Sequence, residues 1–212
     1  MIIINIGKKN RSSLISMRGL LFSILLLLIS ALVFFQLNEK YTWRPFITKG
    51  KKIDSFNGVY VYFNGDVSHV EGRNLSPDGY NFGLKFQCVE FVKRYYYDAL
   101  HFKMPDTYGN AVDFFNPVVS DGKLNNARGL LQYSNGSNSK PAIDDILVFD
   151  VSSSNPYGHV AIISDVTEHG IEIIQQNPGR FVKSRVNYDL IHQGNKWIID
   201  NKKVLGWLRV PN

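Results

Sequence analysis

The longest feature of the hydropathy pattern is a run without charge, Gly19 to Leu37, reading GLLFSILLLLISALVFFQL. Its 19 residues fall within the roughly 17–25 that cross a bilayer as a helix. A buried core helix of that length usually carries a polar stripe, and this run has none. The pattern therefore predicts a membrane-inserted segment. The exit, FFQLNEKY, offers neither a small-x-small cleavage pattern nor a cysteine to lipidate, so an uncleaved transmembrane anchor over 19–37 is expected. Residues 38–57 are polar and basic without a period and read as a linker, which starts the globular domain at 58 and runs it to 212.

Within that domain the pattern changes period. VYVYF at 59–63, followed by NGD, reads as a strand and turn, and GRNLSPDGYNFG at 72–83 as a loop. CVEFVKRYYYDAL at 88–100 has no Gly or Pro and repeats Phe91, Val92, Tyr95, Tyr96 and Ala99 at helical spacing. Residues 117–141 are loop-rich. ILVFDV at 146–151, HVAIISDV at 159–166, IEIIQQ at 171–176, KWIID at 196–200 and VLGWLRV at 204–210 read as short strands. One helix followed by a run of strands is the α+β pattern.

Charge refines the layout. The formal net charge is +6, but residues 1–37 hold Lys8, Lys9, Arg11 and Arg18 and no acid, so residues 38–212 carry 20 − 18 = +2. A nearly neutral domain lacks the clustered basic face of a nucleic-acid binder, and no nucleic-acid partner is expected. Basic residues flank the apolar run on both sides, so their count does not orient it. A short basic tail over 1–18, an apolar run and one long C-terminal domain together predict an extracytoplasmic domain.

Chemistry centres on the one cysteine, Cys88, which follows a Gly-containing loop and opens the helix. Backbone N–H groups and the positive helix end would lower its pKa there and favour the nucleophilic thiolate. Such a nucleophile needs a base. Among five histidines, His69 follows a turn, His101 lies past the helix, His169 sits in a turn and His192 in a polar loop. His159 differs, starting a strand directly after a glycine, with Val160 and Ile162 expected on one face and Ala161 and Ile163 on the other. A hairpin closing at Ser164–Gly170 gives the register i + j = 334 and sets Gln175 opposite His159. There it would accept the second ring N–H, with Asn177 on the same face; a slip by one would bring Ile174 or Gln176 instead. One cysteine and scattered histidines give no zinc spacing, and Asp144, Asp145 and Asp150 form no DxDxDG loop, so neither a metal nor a cofactor is expected. Tyr95, Tyr96 and Tyr97 read as packing residues.

FQCVEF at 86–91, PAIDDILVF at 141–149, GHVAII at 158–163, QQN at 175–177 and LGW at 205–207 resemble the CHAP family of cysteine, histidine-dependent amidohydrolases/peptidases, relatives of NlpC/P60 and papain. QCVEF and a late GW occur also in amidase domains of the glutathionylspermidine type. The resemblance covers about 58–212 and implies a papain-like, NlpC/P60-like α+β fold, with the nucleophile's helix packed on an antiparallel sheet. It implies Cys88 as nucleophile, His159 as base and Gln175 as third residue; in that mechanism the Cys88 backbone N–H would help bind the oxyanion, and Gln87 is a candidate side-chain donor. Two positions depart from the pattern: relatives carry Glu or Asp where Gln175 stands, and Gly where Asp144 stands. The expected function is a membrane-anchored cysteine amidohydrolase acting on peptide amides of peptidoglycan. The alternatives are a glutathionylspermidine-type amidase and a catalytically idle wall-binding module.

Overall fold

The computed structural model describes residues 17–40 and 47–211, so the basic tail up to residue 16 and linker residues 41–46 lie outside the described residues. The chain divides into two compact units between Glu39 and Lys40. The first contains helix α1 (Met17–Lys40), built on the predicted apolar run. Among the described residues no helix is both long and apolar enough to cross a membrane.

In the second unit, β1 (Lys52–Phe56) pairs antiparallel with β2 (Val59–Tyr62). This corrects the linker reading of 38–57: the polar strand is held by its partner, and Asp54 accepts from Ser184 and Arg185 far along the chain. A second hairpin, β3 (Arg73–Leu75) with β4 (Asn81–Leu84), occupies the segment read as a loop. Helix α2 (Cys88–Leu100) has the bounds that the apolar spacing predicts.

The remaining strands are β5 (Lys123–Asn125), β6 (Leu130–Ser134), β7 (Ile146–Phe149), β8 (His159–Val166), β9 (Gly170–Ile174), β10 (Arg185–Gln193), β11 (Lys196–Ile199) and β12 (Val204–Arg209). They form one eight-stranded sheet in the order β11-β10-β9-β8-β7-β12-β6-β5. Every pairing in it is antiparallel. The fold is thus mixed α and β around an antiparallel sheet.

Alternation along β7 and β8 builds two cores. Ile146, Val148, Val160 and Ile162 join Phe91, Val92, Tyr95 and Tyr96 of α2. On the other face Leu147, Phe149, Ala161 and Ile163 gather with Ile173 and Trp207. Helix α2 therefore lies against the face of β8 predicted for Val160 and Ile162. Tyr95 and Tyr96 are core residues whose hydroxyls donate to Asp144 Oδ1 (2.5 Å) and to the Asp144 carbonyl (2.8 Å). Asp144 sits at φ +74°, a left-handed conformation that glycine adopts more readily than aspartate. The tyrosine contacts hold it there.

Two further expectations change. His192 lies in β10, not in a loop, and stacks on Trp197 with ring centroids 4.0 Å apart. Strand β10 escapes the pattern because its exposed positions include Asn187, Asp189 and His192, which read as loop. The β8–β9 register runs at 336 (Ile162 with Ile174) and 337 (Val166 with Ile171) instead of 334. A bulge between Ile163 and Asp165 supplies the extra residue.

Candidate active site

Cys88 is the first residue of α2, after a tight turn in which Phe86 takes φ +66° and the Gln87 N–H donates to the Leu84 carbonyl at 3.1 Å. The turn aims the cysteine at the N-terminal end of β8. The thiol is buried, and burial pushes its pKa up; N–H groups of Val160, Val89 and Cys88 itself pull it only partly back. The expectation of a lowered pKa is therefore overturned, because desolvation of the anion outweighs the helix end.

His159 opens β8. Gly158 before it takes φ +70°, and a Cβ there would lie 2.7 Å from the Phe149 carbonyl oxygen and 2.9 Å from Val112 Cβ. Only glycine lets β8 begin this close to β7. The His159 ring meets Gln175, Nε2 to Oε1, at 2.9 Å. Gln175 Nε2 donates to the Lys183 carbonyl at 3.0 Å, so its oxygen faces the ring. An acceptor at Nε2 places the neutral ring's proton on that nitrogen and leaves Nδ1 as a lone-pair acceptor. Burial draws the ring's pKa down to about 4, with the Gln175 bond acting in the opposite direction. At neutral pH the pair is a thiol and a neutral imidazole, which suits proton transfer during attack rather than a standing ion pair.

Asn177 takes another place. Its Nδ2 donates to Gln87 Oε1 at 2.7 Å and to the Val67 carbonyl at 3.1 Å. Gln87 Nε2 in turn donates to the His69 carbonyl at 2.7 Å. The two amides bracket the loop around Val67 to the start of α2, and one Nε2 proton of Gln87 is left for a ligand. Gln175, not Asn177, touches the ring.

The chain pattern did not mark Gln176 and Glu90 as functional. Gln176 is fully buried; its Oε1 accepts from the Tyr62 N–H at 2.7 Å, and its Nε2 donates to the Gln87 carbonyl at 2.9 Å and to Glu90 Oε2 at 2.7 Å. Glu90 is also bound by Arg94 and Asn74. This network ties the end of β9 to the first turn of α2, and so the ring's partner to the thiol's helix. The signal lay in the consecutive QQN and in the acid of QCVEF, polar residues within otherwise apolar elements.

Cys88, His159, Gln87 and Asn177 all line one cavity of about 490 Å³, whose wall also includes Arg73, Tyr108 and Tyr157. Gln175 stands behind the ring. Among the described residues no group of three His, Cys, Asp or Glu side chains is arranged to hold a metal.

Residues 77–177 match the CHAP domain family. Trypanothione synthetase of Crithidia fasciculata is 28% identical over 164 residues, covering 72% of this chain and 25% of that protein. The bifunctional glutathionylspermidine synthetase/amidase of Escherichia coli (strain K12) is 25% identical over 182 residues, covering 71% and 27% respectively. The chain thus spans about a quarter of the length of these curated relatives. Among solved structures, Ly7917 matches at TM-score 0.34 and 21% identity over 59% of this chain and 53% of that one. A wild type endolysin, LysIME-EF1, matches at TM-score 0.37 and 16% identity over 68% and 61%.

Proposed function

We propose that this chain, a member of the CHAP family of amidase-type hydrolases, is a cysteine amidohydrolase that cleaves peptide amides of the cell wall from a membrane-anchored position. The observation that carries the catalytic part is the His159–Gln175 bond, which leaves Nδ1 free to take a proton in the cavity that holds the one thiol.

As Cys88 Sγ attacks the amide carbonyl, its proton passes to His159 Nδ1. The Cys88 N–H, at the open end of α2, donates to the developing oxyanion, and the free Gln87 proton is a second donor. Collapse returns the proton from His159 to the leaving amine and leaves a thioester on Cys88. Water, deprotonated by His159, hydrolyses the thioester and restores the thiol. A neutral amide at Gln175 orients the imidazole and adds no charge to stabilise the transient imidazolium.

The uncharged run at 19–37, ahead of one long domain, supports the anchored, extracytoplasmic part of the reading. Its location favours peptidoglycan peptides as substrate. The curated relatives favour a second reading, a glutathionylspermidine-type amidase. Incubating the full-length chain with purified peptidoglycan and, separately, with glutathionylspermidine, followed by mass analysis, decides between them. New amine and carboxyl termini in the wall peptides are the expected result. Release of spermidine alone would select the second reading, and no cleavage by a folded protein would make it an idle module.

A further inference from the structure

We infer that Arg73 sets substrate choice at this cavity by binding a carboxylate carried by the amide that Cys88 cleaves. The inference rests on the amidohydrolase reading and deepens it.

Among the described residues lining the cavity there is no Asp or Glu, and Arg73 is the one fixed charge. Three arginines of the domain are neutralised by ion pairs. Arg94 pairs with Glu90, Arg185 with Asp54 and Arg209 with Asp145. Among the described residues no carboxylate lies within 4.0 Å of Arg73. Neutral groups hold it instead: Nη1 donates to Asn81 Oδ1 at 3.4 Å, and the guanidinium stands over the Tyr108 ring, 5.1 Å from its centre. These contacts orient the group and leave its charge unanswered.

The surroundings act in the same direction. Behind the wall segment at Thr107, Lys93 is fully buried and donates to the carbonyls of Asn81 and Thr107; among the described residues it has no ion pair, and Asp106 favours its charge only from a distance. Arg128, also buried, donates to the carbonyls of Asp106, Tyr108 and Asp113, and the carboxylates of Asp106 and Asp113 offset part of its charge. The open end of α2 adds positive potential beside Cys88. A planar guanidinium exposed in such a cavity matches a carboxylate in two-point geometry, whereas a polyamine end would meet like charge.

The test uses the full-length chain in mild detergent and soluble muropeptides released from purified peptidoglycan, either with free carboxylates or after carbodiimide amidation with ammonia. Binding is measured by calorimetry on Cys88→Ala with and without Arg73→Gln, and turnover on the chain with Cys88 intact. Cys88→Ala should bind the free-carboxylate form roughly tenfold or more tightly than the amidated one. Arg73→Gln should remove that preference, and in turnover the loss should appear in KM rather than kcat. Arg73→Lys should restore part of it, since a point charge replaces the fork. Equal affinity for both forms, no binding of either, or a preference that survives Arg73→Gln overturns the proposal. Carboxylate-dependent binding without turnover would instead sink the amidase reading and leave the role of Arg73 standing.

Discussion

At the scale of single residues, the site depends on which atom of Gln175 faces His159. Gln175→Ala removes the acceptor at Nε2 and frees the ring to turn. Turnover should fall roughly ten- to a hundredfold, the loss seen when the partner orienting a ring nitrogen is removed at a metal site. Gln175→Glu should keep activity and raise the apparent pKa of His159, because a nearby anion favours the charged ring. Steady-state kinetics against pH, with folding checked by circular dichroism, measures both; a Gln175→Ala variant at the wild-type rate would remove Gln175 from the mechanism. The thiol gives a second expectation. Burial raises the Cys88 pKa, so iodoacetamide should label the folded protein more slowly at pH 7 than a free peptide thiol of pKa about 8.5, and complete labelling should abolish turnover. Labelling faster than the free thiol would indicate a preformed thiolate and contradict the buried geometry.

At the scale of elements, the start of β8 depends on a contact that only glycine permits. In Gly158→Ala the new Cβ meets the Phe149 carbonyl and Val112 while φ stays at +70°. The strain alone costs about 1–3 kcal/mol. Denaturant unfolding should show a loss of at least that size, and the shift of His159 should lower turnover further than the stability loss explains. Wild-type stability would mean that β8 can start farther from β7. Gly206 in LGW is similarly constrained, since a Cβ would lie 1.9 Å from the Tyr133 carbonyl oxygen across the β12–β6 pair. Both glycines belong to motifs that first suggested the family. Their role is close packing of strands, separate from the chemistry proposed for Cys88 and His159.

At the scale of the molecule, the buried ring couples stability to pH. The His159 pKa is about 4 when folded against 6.5 for a free ring, so between those values the unfolded chain binds the proton more readily. The contribution is complete above about pH 6.5 and lost as the pH falls toward 4, at most on the order of 3 kcal/mol. Unfolding curves across that window, compared with His159→Gln, isolate it: the wild type should lose more stability on acidification than the variant, and parallel curves would mean that the ring is solvated. Membrane placement is tested on the same full-length chain. It should stay in the membrane fraction through carbonate and high-salt washes, and protease outside intact cells or spheroplasts should digest the domain. Protection until lysis would put the domain in the cytoplasm and favour the glutathionylspermidine reading.

The amino-acid pattern alone determined α2, β8 with its two faces, and the likeness of Cys88 and His159 to a nucleophile and its base. These features depend on side chains within one element, where a period of 3.6 or 2 reports burial directly. Other features depended on distant partners. Strands β1 and β10 are polar on most of their exposed positions, so only their hydrogen-bonded neighbours mark them as strands. The register expected from the sequence, which sets Gln175 opposite His159, is changed by the bulge at Ser164, yet Gln175 reaches His159 because the chain leaves the β9 ladder after Ile174. Asn177 and Gln87, paired by sequence with the catalytic chemistry, bond each other across 90 positions of chain. A separation of 86 positions likewise lies between Gln176 and Glu90, and the β3–β4 hairpin brings Arg73 to the cavity wall. The pKa of Cys88 reverses for the same reason: a helix end is visible in a local pattern, whereas desolvation depends on everything that packs over the thiol.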